Sequence, residues 1–262
     1  MGEVVLKRVL HPVGQGAFFT EQFYDKAQDK LLYNVVYDCG STSTDIQTQM
    51  ERDIKNCFHD KKTIDVLYLS HFDDDHVNYV NHLKANGHLQ GTRIFIPMLA
   101  IEERLGIEPY ATNYQYIRSL NEQDKSGTKV IRVRFDEGAP EEGNSANRLD
   151  PLRISDIQEE TIPSGTPLVP NIPNANIIWY YTPFNIQFQQ LISDFKTKLQ
   201  NEGLDYYRLK DVDYVTDNKD KLKKIYQGLG KKPKEGTAIN LMEVVINIST
   251  KVLNINDNSN SF

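Results

Sequence analysis

Ile64-Asp65-Val66-Leu67-Tyr68-Leu69-Ser70-His71-Phe72-Asp73-Asp74-Asp75-His76 runs from an apolar stretch straight into two imidazoles and three carboxylates. The apolar half has the length and composition of a buried strand, predicted over Thr63 to Leu69. The polar half precedes a helical pattern in which Val77, Val80 and Leu83 share one face. A cluster placed where a strand gives way to a helix fits α/β proteins, whose chemistry gathers at the carboxyl ends of strands. Capping is one reading, because carboxylates favour helix N-termini. Capping does not require His71 and His76, whereas imidazole with carboxylate is the usual ligand set of zinc, manganese or iron. One divalent metal, or a pair, is the cation these residue types call for.

Outward from this stretch, the first hundred residues alternate strand and helix signals. Val4 to Leu10 and Ala17 to Tyr24 are predicted strands around the glycine-containing turn Pro12-Val13-Gly14-Gln15-Gly16. Leu31 to Tyr37 is a third, ending at Asp38-Cys39-Gly40. Ser41, Thr42, Ser43 and Thr44 offer N-caps for a helix through Phe58, with Ile46, Met50, Ile54 and Cys57 at helical spacing. Further strands are expected at Arg93 to Met98, Lys129 to Phe135 and Ile177 to Tyr181, and a helix at Ala111 to Glu122. Glu137 to Asn176 holds six of the eleven prolines and reads as a long loop or insertion; a boundary between two domains is the competing reading. Phe184, Phe188, Leu191, Ile192, Phe195 and Leu199 form an amphipathic stripe. Lys219 to Gly228 is predicted helical, Ile239 to Ile248 a strand, and the end after Asn254 frayed.

Composition bounds the rest. The 262 residues suffice for one large α/β domain, and 25% charged with 39% hydrophobic residues is ordinary for a folded soluble protein. Two cysteines, Cys39 and Cys57, are too few for a disulfide framework. No secretory signal opens the chain, the myristoylation pattern fails at Leu6, and no run approaches ~20 apolar residues, so a cytoplasmic protein with no membrane association is expected. A net charge of −6 argues against a broad basic face for nucleic acid. It does not exclude a nuclease, because a metal supplies positive charge locally.

Ser70-His71-Phe72-Asp73-Asp74-Asp75-His76 resembles the His-x-His-x-Asp-His signature of the metallo-β-lactamase fold superfamily, with Asp73 at the second His. This form is similar to the branch that includes the ComEC-type hydrolase domain of DNA uptake. His11-Pro12-Val13-Gly14-Gln15-Gly16-Ala17 resembles the family's first hairpin turn, and Val35-Val36-Tyr37-Asp38-Cys39-Gly40 its strand ending Asp-x-Gly. The resemblance covers roughly the first hundred residues. It implies an αββα sandwich formed by residues 1–262 as a single domain, with an incomplete second half. Carried over by position, His71 and Asp73 ligate a first metal, Asp75 and His76 a second, and Asp75 and His76 are the catalytic pair. Asp38 orients a ligand or strand end, and Asp74 faces solvent or caps the helix. Zinc is the first expectation, and Asp73 in place of His, a harder ligand, admits manganese, iron or magnesium beside it. The implied activity is hydrolysis of phosphodiester bonds in nucleic acid or nucleotides by metal-bound hydroxide.

The chain departs from that pattern downstream. No histidine follows His88, and no Thr-Gly-Asp or Ser-Gly-Asp turn supplies a bridging carboxylate. Ala238-Ile239-Asn240-Leu241 resembles the strand before that turn, with the next strand near Lys251 to Ile255 and Asp257 a poor substitute ligand. Asn78-Tyr79 replaces a common Gly-Gly. The alternative function is therefore a degenerate or truncated, non-catalytic module that keeps the fold and serves a protein partner, for instance in a bacterial defence system. His82 and His88 are expected at the surface, Cys39 as a buried structural thiol, and Trp179, Tyr180 and Tyr181 as strand core or an aromatic site wall. Lys231, Lys232 and Lys234 are expected in a solvated loop.

Overall fold

The structure is a computed structural model. It describes residues 3–58, 63–98, 110–123, 127–134, 150–173, 177–185, 189–210, 212–229 and 249–254. Three antiparallel strands open the chain: β1 (Val4–Leu10), β2 (Gly16–Asp25) and β3 (Lys30–Ser41). Four parallel strands continue the same sheet: β4 (Val66–Tyr68), β5 (Arg93–Pro97), β6 (Lys129–Arg134) and β8 (Thr161–Pro163), in the order β1-β2-β3-β4-β5-β6-β8. A parallel neighbour requires a crossover, and helices supply the first three: α1 (Gln47–Cys57), then α2 (Asp74–Val77) with α3 (Val80–Ala85), then α4 (Tyr110–Gln123). The protein is thus a mixed α/β fold around a mostly parallel sheet.

The apolar runs of β3 to β6 lack a polar alternation because both faces of this sheet are covered. Successive side chains take opposite sides. Val36, Leu67, Ile94 and Val130 pack with Met50 and Ile54 of α1, Val77 and Val80, Leu83 of α3, and Ile117 and Leu120 of α4. Val35, Val66, Tyr68, Phe95 and Ile131 pack on the other side with Ile154, Ile157, Leu168, Trp179 and Tyr181. Most of the latter belong to a second sheet, ordered β11-β10-β9-β7, of β7 (Leu152–Arg153), β9 (Leu168–Val169), β10 (Ile177–Thr182) and β11 (Ser249–Asn254). Helices therefore cover one face of the large sheet and a second sheet covers the other. A third cluster joins α5 (Gln189–Asn201) and α7 (Lys219–Gln227) through Phe195, Leu199, Leu222 and Ile225, with Tyr214 and Val215 of α6 (Val212–Asp217) packed against it. No helix among the described residues is long and apolar enough to cross a membrane.

Several expectations are corrected. Residues 150–173, read from the sequence as part of a loop, carry β7, β8 and β9, and bury Ile154, Ile157, Ile162 and Leu168. Strands of two or three residues are too short to show a period, and the prolines mask them. The helix after β3 starts only at Gln47, behind an N-cap, Ile46, that makes no side-chain capping bond. The hydroxyls that could have capped it serve the hairpin turn instead: Ser41 Oγ donates to the Val13 carbonyl at 2.6 Å, and Ser43 Oγ accepts from the Gln15 N–H at 2.9 Å. The helix expected over Val77 to Lys84 is two short ones, the first beginning inside the acidic run. His88, expected at the surface, is buried against Phe58 at 5.2 Å between ring centroids, because its carbonyl accepts from Ile64 N–H where β4 is entered. The strand expected over Ile239 to Ile248, together with Lys231, Lys232, Lys234 and Asp257, lies outside the described residues.

Candidate metal centre

The site lies at the carboxyl ends of β3 and β4, the two central strands that follow the hairpin. Its floor is a close approach of three backbones. A Cβ on Gly40 would stand 2.5 Å from Asp75 C and His76 N, and one on Gly16 would stand 2.4 Å from the Gly40 carbonyl and 2.5 Å from the Asp75 carbonyl. Only glycine fits at either position. The turn before β2, the end of β3 and the acidic loop therefore meet at the Asp75–His76 peptide, so the three sequence motifs converge on one spot. Asn78 fastens the same contact: its side chain donates to the Ser41 carbonyl at 2.7 Å and accepts from the Ser41 N–H at 3.1 Å.

Asp38 organises the histidines. In the β2–β3 ladder Phe18 pairs with Cys39 and Phe19 with Tyr37, leaving Asp38 as the extra residue of a bulge. Its φ of 50° is left-handed, a conformation that costs a non-glycine residue on the order of 1 kcal/mol. The bulge turns its carboxylate towards the loop after β4. Oδ1 accepts from the Ser70 N–H at 2.8 Å; Oδ2 accepts from Ser70 Oγ at 2.6 Å and from His76 Nδ1 at 2.8 Å. Since the single Ser70 hydroxyl proton points to Asp38, Ser70 Oγ must accept at 2.9 Å from His71 Nδ1. Both imidazoles thus have Nδ1–H tied to Asp38, directly or through Ser70, and both keep a bare Nε2 lone pair. A carboxylate behind an imidazole in this way is the usual support of a metal-binding histidine.

The rings of His71 and His76 lie 3.8 Å apart between centroids. One ligand atom each from His71, Asp75 and His76 falls within 4.8 Å of the others. Asp73 stands beside the three, its Oδ2 3.6 Å from His71 Nε2. That is too long for a good hydrogen bond and leaves a lone pair facing a carboxylate. Asp73 also accepts the His76 N–H through its own carbonyl at 2.9 Å. Asp74, expected in solvent or as a cap, is instead bound by Asn113 of α4, which donates to Asp74 Oδ1 at 2.8 Å and to the Phe72 carbonyl at 2.9 Å. Neither Asn78 nor Asn113 is identifiable from the sequence as part of the site, because a lone amide in a helical pattern carries no signal of its partner.

Electrostatics follow from this crowding. Burial lowers the His71 pKa, and the neighbouring His76 lowers it further against the pull of Asp38, Asp73 and Asp75. Burial would lower His76 as well, but the hydrogen bond and charge of Asp38, with Asp75 and Asp73, outweigh it and raise the pKa. Burial raises the carboxyl pKa of Asp73; the imidazoles oppose this and Asp75 adds to it. Each carboxylate and each Nε2 lone pair would be stabilised by the same thing, a cation placed among them. The donor set fits a divalent metal.

Neither protein-family models nor curated proteins yield a match to this chain.

Proposed function

We propose that this chain is a metal-dependent hydrolase of the metallo-β-lactamase fold, acting on phosphodiester bonds in nucleic acid or a nucleotide. The observation that carries the reading is the fixing of both histidine Nδ1 atoms by Asp38 and Ser70, which leaves each imidazole an Nε2 lone pair, in a group where one ligand atom each of His71, Asp75 and His76 lies within 4.8 Å of the others. A helix layer, a mostly parallel sheet and a second sheet, with the site at the strand ends, agree with it. When bound, a divalent ion of this kind lowers the pKa of a coordinated water towards ~7 and polarises a phosphoryl oxygen. Zinc, manganese, iron and magnesium all suit a mixed imidazole and carboxylate set. His71 and His76 hold their tautomers through Asp38, so neither imidazole reorients during turnover. Asp75, the carboxylate grouped with the two imidazoles, is the one we assign to accept the proton of an attacking water.

A second reading rests on a specific observation. Among the described residues His71, Asp75 and His76 are the only group of this kind, and all three come from one short stretch, the loop after β4 and the start of α2. A non-catalytic module that keeps the fold, holds one ion weakly and serves a protein partner has that appearance. Elemental analysis on protein purified without chelator or metal-affinity columns separates the two. The hydrolase reading expects one or two tightly held ions and hydrolysis of bis(p-nitrophenyl) phosphate that Asp75→Asn abolishes. A metal-free protein that remains inactive after loading with zinc or manganese refutes it and directs the search to partners.

A further inference from the structure

At the C-terminal end of α1 a second constellation comes together. Cys57, its last residue, and Asp53, four residues earlier, share one helix face. Between them stands His11, from the chain just after β1. Its Nε2 is 3.6 Å from Cys57 Sγ, and its Nδ1 is 3.8 Å from Asp53 Oδ2. The imidazole is buried, stacked on Phe18 with centroids 4.0 Å apart, while Cys57 is only half-buried. Asp53 is fixed in turn by Gln49 Nε2, which donates to its Oδ1 at 2.6 Å. Thr20 Oγ1 lies 3.2 Å from His11 Nε2, so the same nitrogen faces a hydroxyl and a thiol.

We infer that Cys57 is an oxidant-reactive thiol, modified by hydroperoxides, with His11 as its proton acceptor and Asp53 as a positioning residue. At 3.8 Å Asp53 is too far for a good hydrogen bond, but its charge behind Nδ1 favours the tautomer protonated there, which leaves the Nε2 lone pair to take a proton from Cys57. Burial keeps this imidazole neutral near pH 7: it lowers the pKa most, Asp53 opposes it, and Lys7 adds a smaller lowering. The base is needed because Cys57 ends a helix, where the dipole disfavours a thiolate, so no preformed thiolate explains its reactivity. In the reaction the sulfur attacks one peroxide oxygen and the O–O bond breaks. The thiol proton passes to His11 Nε2 and then to the departing hydroxide, giving sulfenic acid and water. Sulfur loses two electrons and the peroxide gains them. The other cysteine, Cys39, is fully buried with no such imidazole partner among the described residues, so it is expected to remain reduced.

The test is the rate of sulfenic acid formation at Cys57 in the full chain at pH 7, trapped with dimedone after addition of hydrogen peroxide and read by peptide mass. Wild type is expected to react at least about tenfold faster than the same protein in urea, and His11→Gln to lose that advantage. Asp53→Asn is expected to lower the rate several-fold and Asp53→Glu to restore it, a rescue that a merely structural role does not produce. Labelling of Cys39 reports unfolding of a variant; where His11→Gln exposes Cys39, the two Asp53 variants decide. A native rate no greater than in urea overturns the inference. So does a rate unchanged in folded His11→Gln, or one indifferent to both Asp53 substitutions.

Discussion

Replacing Gly40 with Ala puts a methyl group in place of a hydrogen at the point where β3 touches the acidic loop. The new Cβ would sit 2.5 Å from two backbone atoms of the Asp75–His76 peptide and 2.6 Å from the Asp75 carbonyl oxygen. Ordinary contact begins near 3.4 Å, so the loop or the strand must recede by about 0.9 Å. Neither is a flexible side chain end. Asn78 ties the loop to Ser41, and Tyr79 N–H donates to the Cys39 carbonyl at 3.0 Å, so the two backbones cannot part without breaking these bonds. Overpacking of this kind costs about 1–3 kcal/mol. Metal geometry suffers more than stability, because ligand placement tolerates only ~0.5 Å. We expect Gly40→Ala to lower the urea midpoint of the metal-free protein and to weaken manganese or zinc binding, followed by calorimetry, by at least about tenfold. Gly228→Ala is the matched control, since its Cβ would meet its nearest neighbours at 3.4 Å, no closer than ordinary contact. A Gly40→Ala protein within about 0.5 kcal/mol of wild type, with unchanged affinity, would refute the argument that this contact places the ligands.

Three more predictions concern single groups. Asp38→Asn keeps an oxygen for Ser70 but removes the charge behind both imidazoles, so metal affinity should drop about 10- to 100-fold with the fold intact by circular dichroism; equal affinity would mean the histidines orient themselves. Asp65 is raised to about 6, chiefly by burial, from an ordinary 3.8, with its bond from the Asn34 N–H opposing. A raised carboxyl favours the folded state fully below about 3.8 and loses that contribution as pH rises through about 6. Asp65→Asn should therefore stabilise the protein at pH 8 by up to roughly 3 kcal/mol and leave it unchanged at pH 4; a constant difference across urea titrations at both pH values would contradict this. Asn113→Ala leaves the Phe72 carbonyl without its side-chain donor and should cost about 1–2 kcal/mol in thermal unfolding, with hydrogen exchange rising in residues 72–76.

The first three strands and the loop after β4 were legible because the residues that make them are distinctive. Glycines at 14, 16 and 40 mark places where a side chain does not fit, and apolar runs at 33–37 and 64–69 mark a sheet covered on both faces. What escaped the reading is of another kind. Ser41 and Ser43 have the chemistry of helix caps, and only the position of the Val13–Gln15 turn decides that they bind there instead. Asn78 and Asn113 act through partners 37 and 39 to 41 residues away, a separation that a single sequence does not encode in any local pattern. The strands within 150–173 pair in runs of only two or three residues, below the length at which alternation becomes visible.

The bulge at Asp38 also settles which way every later residue of β3 faces. Val36 belongs to the helix-side core, and Tyr37 packs against the core between the sheets. Strict alternation would then send Cys39 to the inter-sheet side, yet it lies in the helix-side core. The extra residue resets the parity of the strand. Delete Asp38, and Tyr37 and Cys39 become neighbours that already face opposite ways, opposite Phe19 and Phe18, in an unbroken pleat free of its left-handed backbone. By every local rule the shortened strand would be the better one. A screen of variants for stability alone would be drawn towards that deletion, and in taking it would remove the one carboxylate on which both histidines lean.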